Sequence, residues 1–385
     1  MSVSRPEAAA TRPAPRVVYL GERARFHGGG EMSLVELARG MASSGFEPLV
    51  LLPDAGPIAS QCGAAGIAWE RFPLPRFRRP IAVLAAALRL ARLLRRTGAV
   101  IVHTGGPRAA VIAGLAGRWS GTPHIFHVRA ARAERWPGDP LIHALADRVI
   151  AVSRAAAHRS RTLAASARVR IVPTGIPPIA FLERNAARVV LGIPPQALVF
   201  GVVGRVEADK GADTVLAAWP SVRAACPGSC LVFLGAIDPA FAAPAARPDA
   251  GDLLFLGEHP GAARYLPAFD GLVHAARHEA LPRTLIEAAF ASVPVLATRV
   301  GGSEEILPDG DCAVLVEPDD PGALAAAWVE FARDPVRRRR LADNARGRAA
   351  GRFDLGTMIR LVQATYDEVR RMRAAPGHPV EASPR

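Results

Sequence analysis

The stretch Leu198-Val-Phe-Gly-Val-Val-Gly-Arg-Val-Glu-Ala-Asp-Lys-Gly211 decides the fold. Leu198–Val203 is an uninterrupted apolar run, the pattern of a strand covered on both faces in a parallel sheet. Gly204 ends the run, and a polar loop leads into a helical pattern starting near Ala212. Strand, loop and helix in this order form half of a βαβ unit, whose ligands collect beyond the carboxyl ends of the strands. Arg205 lies just past the strand and Lys210, the only lysine in the chain, just before the helix. Two cations at the mouth of a parallel sheet neutralise a diphosphate through charge-assisted donors, without a metal.

Outward from this stretch, short β-branched runs alternate with Ala/Leu-rich helical ones. Strands are expected at Val17–Leu20, Leu49–Leu52, Val100–His103, His124–Val128, Val149–Val152 and Arg170–Val172. A second series follows at Leu198–Val203, Leu231–Leu234, Leu253–Leu256, Leu272–His274 and Val293–Ala297. The proline-rich stretch Pro173–Gln196 separates them. The reading is α/β, two doubly wound domains facing across a cleft. Its partition is a disordered N-terminal tail at 1–15, an acceptor-binding domain at 16–175 and a linker at 176–196. A nucleotide-binding domain follows at 197–355, then a closing helix at 356–373 that packs back toward the first domain, and a tail at 374–385. At 385 residues the chain suits two domains rather than one core.

The net charge of +13 is unevenly placed. Residues 1–175 hold 25 arginines against 10 acidic residues, and residues 176–385 are near neutral at −2. No apolar run is long enough for a membrane-spanning helix, and Val189–Gly204 is interrupted by Pro194 and Pro195. Met1–Pro15 lacks the apolar segment of a secretion signal. Cys62, Cys226, Cys230 and Cys312 form no metal or redox spacing and read as buried, reduced thiols, which fits a cytoplasmic protein. Arg337–Arg340 reads as a solvated helix face.

Basic charge concentrates around the helical stretch Ile81–Leu94. Arg71, Arg76, Arg78 and Arg79 precede it, Arg89 and Arg92 lie on it, and Arg95-Arg96 end it. Such a segment suits an anionic membrane surface, each cation contributing about 1 kcal/mol. As an ordinary crossover helix it would turn Leu84, Leu88 and Ala91 toward its sheet. Nucleic acid is not expected, because no aromatic stacking platform or recognition motif accompanies the charge.

Gly28-Gly-Gly-Glu31 opens a helical pattern after the first strand. Glycines admit an anion close to the backbone, where a helix start offers free N–H groups. Neither GxGxxG nor the P-loop pattern occurs. Glu279 falls in a loop after a strand and Glu287 in the helix following Pro282, seven residues of spacing between them. Gly301-Gly-Ser-Glu-Glu305 is another glycine turn with a helix start. His103 and His127 each end a strand, so both are candidates to face the cleft.

In order, the chain carries Gly-Gly-Gly-Glu (28–31), Ala-Asp-Arg-Val-Ile-Ala-Val-Ser (146–153), Val-Pro-Thr-Gly-Ile (172–176), Gly-Arg…Lys-Gly (204–211), Glu279…Glu287 and Gly-Gly-Ser-Glu-Glu (301–305). This ordered set resembles the family 4 glycosyltransferases, retaining enzymes of the GT-B architecture with two Rossmann-like domains. The resemblance implies that Arg205 and Lys210 hold the donor diphosphate, with Gly29 and Gly30 closing over it. It implies that Glu287 takes the ribose, that Glu279 sits by the donor sugar with Leu281 and Glu305 nearby, and that His127 orients the acceptor. Arg129 and His103 are further acceptor-side candidates.

The expected donor is a UDP- or GDP-linked sugar and the acceptor a saccharide or lipid-linked glycan, in cell-envelope or polysaccharide synthesis. No cofactor or metal is expected, and localisation is cytoplasmic or peripheral at the inner membrane face. The chain departs from the family pattern at Thr174, at Ala275-Ala276 and at Ala280, and the loop Leu234-Gly-Ala-Ile-Asp238 is degenerate. A nucleotide-sugar epimerase of the same fold and a non-catalytic nucleotide-sugar-binding protein are the alternatives.

Overall fold

The computed structural model describes residues 14–26, 29–131, 138–242 and 251–374. The tails read at 1–15 and 374–385 lie outside these residues except for Ala14, Pro15 and Ala374, as do His27 and Gly28.

The first sheet has seven strands: β1 (Arg16–Leu20), β2 (Glu47–Leu52), β3 (Ala68–Arg71), β4 (Ile101–Thr104), β5 (His124–Val128), β6 (Arg148–Ala151) and β7 (Val169–Ile171). Their order is β3-β2-β1-β4-β5-β6-β7. Val18 lies beside Leu49 on one side and Val102 on the other, both pairings parallel. The second sheet has six: β8 (Leu198–Val203), β9 (Ser229–Leu234), β10 (Leu253–Phe255), β11 (Gly271–His274), β12 (Val295–Thr298) and β13 (Val314–Val316). Their order, β10-β9-β8-β11-β12-β13, reverses direction at β8, so the loops after β8 and β11 flank a topological switch point. Both are Rossmann-like parallel sheets with helices packed on them.

By packing, the chain forms two compact units. One comprises Met1–Phe126, Leu145–Asp147 and Tyr366–Arg385, and the other His127–Ala144 and Arg148–Thr365. In the second, Phe200, Leu231, Val273 and Leu296 from the sheet meet Trp219 and Trp328 from the helices Ala212–Ala225 and Pro321–Arg333.

The eleven expected strands all form. β3 and β13 were not anticipated. β3 is a mostly exposed Ala-Trp-Glu-Arg edge with no apolar run to announce it, and β13 is only three residues long. The proline-rich stretch holds the helix Arg184–Leu191. Its Arg188 side chain, 1% exposed, donates to the carbonyls of Ala268 (2.9 Å) and Pro195 (2.6 Å) and pairs with Asp270 (2.9 Å).

Two helix faces differ from expectation. Helix Pro80–Thr97 buries Val83, Ala86, Ala87, Leu90, Ala91, Leu93 and Leu94, and leaves Leu84 and Leu88 exposed. In helix Pro335–Ala349, Arg338 is buried, donating to the Phe331 carbonyl at 2.6 Å, so Arg337–Arg340 is not a uniformly solvated face. Three of the four cysteines are buried, Cys226 is half-buried, and all are free thiols. Among the described residues no helix is long and apolar enough to cross a membrane.

Candidate active site

The site is built from the loops at the carboxyl ends of β8, β11 and β12. After β8 the chain passes Arg205, makes a single tight turn at Ala208–Lys210 and starts the helix Ala212–Ala225. Gly211 joins turn to helix at φ 70°, and a Cβ there would collide with the Ala275 carbonyl oxygen. Only glycine allows the Lys210 turn to lie this close to the loop following β11.

That closeness brings Lys210 to Glu279. The Lys210 ammonium forms an ion pair with Glu279 Oε1, and His274 Nε2, at the end of β11, lies 3.4 Å from the same oxygen. Burial alone would push the Glu279 carboxyl up. The His274 ring and the Lys210 ammonium outweigh it and hold the pKa at about 2, so the group is a carboxylate at neutral pH. Arg205 pairs with Glu207 at 2.6 Å and keeps 38% of its side chain exposed.

The Glu279 loop is braced from the far side. Gly301 has φ 51°, and a Cβ on it would overlap the Glu279 carbonyl oxygen. Ser153 Oγ donates to the Ala280 carbonyl at 2.6 Å. Leu281 is buried, and beyond Pro282 the helix Arg283–Phe290 carries Glu287, 16% exposed with Arg283 at 3.5 Å. Pro282 is the residue before the helix rather than its first residue, and its fixed φ aims the chain into the first turn.

Two expected residues have protein partners of their own. Glu305 accepts the N–H groups of Arg154 (3.0 Å) and Ala155 (2.9 Å), capping the short helix Arg154–Ala157. Each carboxylate oxygen accepts one backbone N–H, so Glu305 ties the start of that helix to the glycine turn. His103 is wholly buried one residue before the end of β4, its Nδ1 hydrogen-bonded with the Tyr366 hydroxyl at 2.8 Å, and so does not present an open face to an acceptor.

His127, also buried, accepts from Arg129 Nη2 on Nδ1 at 2.8 Å. A guanidinium only donates, so the proton of the neutral imidazole lies on Nε2. Gly29 and Gly30 form the first turn of helix Gly29–Ser43, where backbone N–H groups have no partner within the helix. Sequence reasoning missed His274 and the bracing by Ser153. His274 was legible only as the end of a strand five residues before Glu279, and Ser153 as the end of the Ala146–Ser153 motif. Among the described residues no group of three His, Cys, Asp or Glu side chains is placed to hold a metal ion.

Residues 27–178 match the model of Glycosyltransferase Family 4, and residues 197–334 that of the Glycosyl transferases group 1. D-inositol 3-phosphate glycosyltransferase of Actinosynnema mirum is 31% identical over 60% of this chain and 60% of its own length. The lipopolysaccharide core biosynthesis mannosyltransferase LpsB of Rhizobium meliloti is 26% identical over 49% of this chain and 57% of its own. The chain thus spans less than two thirds of these curated relatives. Among solved structures, Anabaena HepE in complex with UDP superposes with a TM-score of 0.80 at 18% identity, covering 92% of this chain and all of HepE. With two Rossmann-like parallel sheets and the motifs in order along both matched segments, the chain belongs to the family 4 glycosyltransferases of the GT-B architecture.

Proposed function

We propose that the protein is a retaining glycosyltransferase. It moves a hexosyl group from a UDP- or GDP-linked sugar to a saccharide or lipid-linked acceptor in the synthesis of a cell-envelope glycan. The observation that carries this reading is the pairing of Lys210 with Glu279 and His274 at the switch point, with Arg205 in the same loop. HepE, whose structure holds UDP, supports a nucleotide donor.

In the reaction the sugar–phosphate bond breaks and the diphosphate leaves with the electron pair. Lys210 and Arg205 stabilise that growing negative charge, the role a divalent cation plays in other transferases. Lys210 moves from Glu279 onto a phosphate oxygen, and the freed carboxylate faces the sugar, where positive charge develops at the anomeric carbon. The acceptor hydroxyl attacks from the face the phosphate is leaving. Its proton passes to a phosphate oxygen, so the configuration is kept and no protein nucleophile is needed. Glu287 receives the ribose hydroxyls, the N–H groups at Gly29 and Gly30 close over the phosphates, and His127, fixed by Arg129, orients the acceptor through Nε2. The reading places the enzyme on the cytoplasmic side, at the inner face of a membrane.

Calorimetric titration with UDP- and GDP-sugars, followed by turnover with candidate acceptors, tests it. One donor should bind at millimolar affinity or better. Lys210→Ala should remove turnover while the protein stays folded, with a melt that is lowered by the lost Glu279 pair but still cooperative, and EDTA should leave the wild type active. Wild-type turnover in Lys210→Ala would overturn the diphosphate assignment, and full loss on chelation would overturn the metal-free mechanism.

A further inference from the structure

We propose that Arg277 is a positioning residue of the site. It locks the turn that carries Lys210 to the loop that carries Glu279, so that the ammonium meets the donor diphosphate. The choice of ligand rests on the transferase reading, whereas the geometry stands without it.

The Lys210 turn has little of its own to hold it. Ala208–Lys210 is one turn of three residues, closed by the Lys210 N–H on the Glu207 carbonyl at 3.1 Å and the Gly211 N–H on the Ala208 carbonyl at 2.9 Å. So short a turn is marginal alone, and a lysine side chain is a flexible four-carbon stem. Where the ammonium arrives therefore depends on what fixes the backbone beneath it.

Arg277, in the loop after β11 and two residues before Glu279, supplies that fixing. Its backbone N–H donates to the Asp209 carbonyl at 3.0 Å, and its Nη1 donates to the Ala208 carbonyl. One residue thus holds two successive carbonyls of the turn. Nη1 and Nη2 grip the Asp213 carboxylate at 2.9 Å each, and Nη2 reaches Thr214 Oγ1 at 3.5 Å, both at the start of helix Ala212–Ala225. Nε donates to Asp319 Oδ1 at 2.5 Å, in the segment after β13. Asp319 has φ 62°, a left-handed conformation that few non-glycine residues adopt and that collects at functional sites.

These five side-chain contacts match the five N–H groups of a guanidinium. Every donor is spent on the protein, which makes Arg277 a brace for Lys210 and not itself a phosphate ligand. The brace spans the loops after β8, β11 and β13, so the Lys210 turn stays in place while its ammonium exchanges Glu279 for phosphate.

The test uses the full chain and two measurements. Lys210 is the only lysine, so pulse labelling with acetic anhydride, read by mass spectrometry on the peptide that holds it, reports the freedom of that one ammonium. Arg277→Met should raise the labelling rate severalfold as the pair with Glu279 loosens. In calorimetric titration the same variant should weaken UDP or GDP binding by about tenfold or more, and leave UMP or GMP binding within about twofold. On a Lys210→Ala background it should cost no further diphosphate affinity, because it acts through that lysine. If Arg277→Met does not melt cooperatively, Arg277→Lys decides: it keeps the charge without the planar fork, and should show both changes in weaker form. An unchanged labelling rate or an unchanged diphosphate affinity overturns the proposal. Equal losses for mono- and diphosphates, or a loss that adds to that of Lys210→Ala, also overturns it by making Arg277 a general prop of the fold. A wild type that binds no nucleotide, with labelling still raised in Arg277→Met, overturns the transferase reading alone.

Discussion

Glu279 offers one oxygen to both an ammonium and an imidazole, and this arrangement has a pH signature. Its folded-state pKa is lowered from the ordinary 4.5 to about 2, so the pair stabilises the fold fully above pH 4.5. That contribution drains away as pH falls toward 2. Urea melts of the wild type and Glu279→Gln should differ by about 3 kcal/mol at neutral pH and converge through that window. A gap that does not change with pH would contradict the assignment. Gly301 acts on the same loop through its backbone. Gly301→Ala requires the Glu279 carbonyl to move, and should cost roughly 1–3 kcal/mol in stability together with a fall in kcat. Unchanged kcat would show that the Glu279 backbone is not held from that side. The two glutamates of the motif were legible in the sequence because a loop carboxylate and a helical one at fixed spacing is a local pattern. Glu305 was not, because its partners lie about 150 residues away and no local pattern reports them.

At the scale of elements, two small helices depend on charges reaching across the second unit. Arg188 ties helix Arg184–Leu191 to the carbonyls around Asp270, and the Asp270 carboxylate also accepts the Val199 N–H at 2.7 Å, at the start of β8. Arg188→Ala should destabilise the protein by about 2–4 kcal/mol, because the carbonyls of Ala268, Pro195 and Ala197 lose a buried donor while Asp270 keeps Arg184 at 2.6 Å. A thermal melt shifted by less than that of an ordinary surface variant would show the pair to be incidental. Glu305→Ala should cost about 1–2 kcal/mol as a lost helix cap, with KM for the donor little changed. A raised KM at unchanged stability would restore its expected place at the donor sugar. The strands of the second sheet were readable because burial on both faces leaves an unbroken apolar run. Helix Pro80–Thr97 was misread because its first half is apolar on two adjacent stripes. Spacing of three and four fits Leu84 and Leu88 as well as Val83, Ala87 and Leu90, and periodicity alone does not say which stripe meets the sheet.

Over the whole molecule, the excess positive charge and the donor chemistry separate. The arginine-rich, nearly acid-free region belongs to the first sheet and its helices, whereas Arg205, Lys210, Glu279 and Glu287 belong to the second. Composition therefore marked the first half by its charge and was silent about the reaction. The ordered motifs reported the reaction class, and side-chain placement separated residues that meet at Glu279 from those, like His103, committed to the interior.

That commitment of His103 bears on how the chain is made. The fully buried Tyr366 hydroxyl is hydrogen-bonded with His103 Nδ1 at 2.8 Å and with the Tyr19 hydroxyl at 3.2 Å, so side chains 347 residues apart in sequence meet in one interior. The unit that holds the first strand also takes in the segment from Tyr366 to Ala374. On the ribosome, the first-made strands must wait, with polar groups of β1 and β4 unsealed, until Tyr366 has been made. Early release would leave them open, and a chain stopped before Tyr366 should fractionate with aggregates or chaperones rather than as a smaller folded protein.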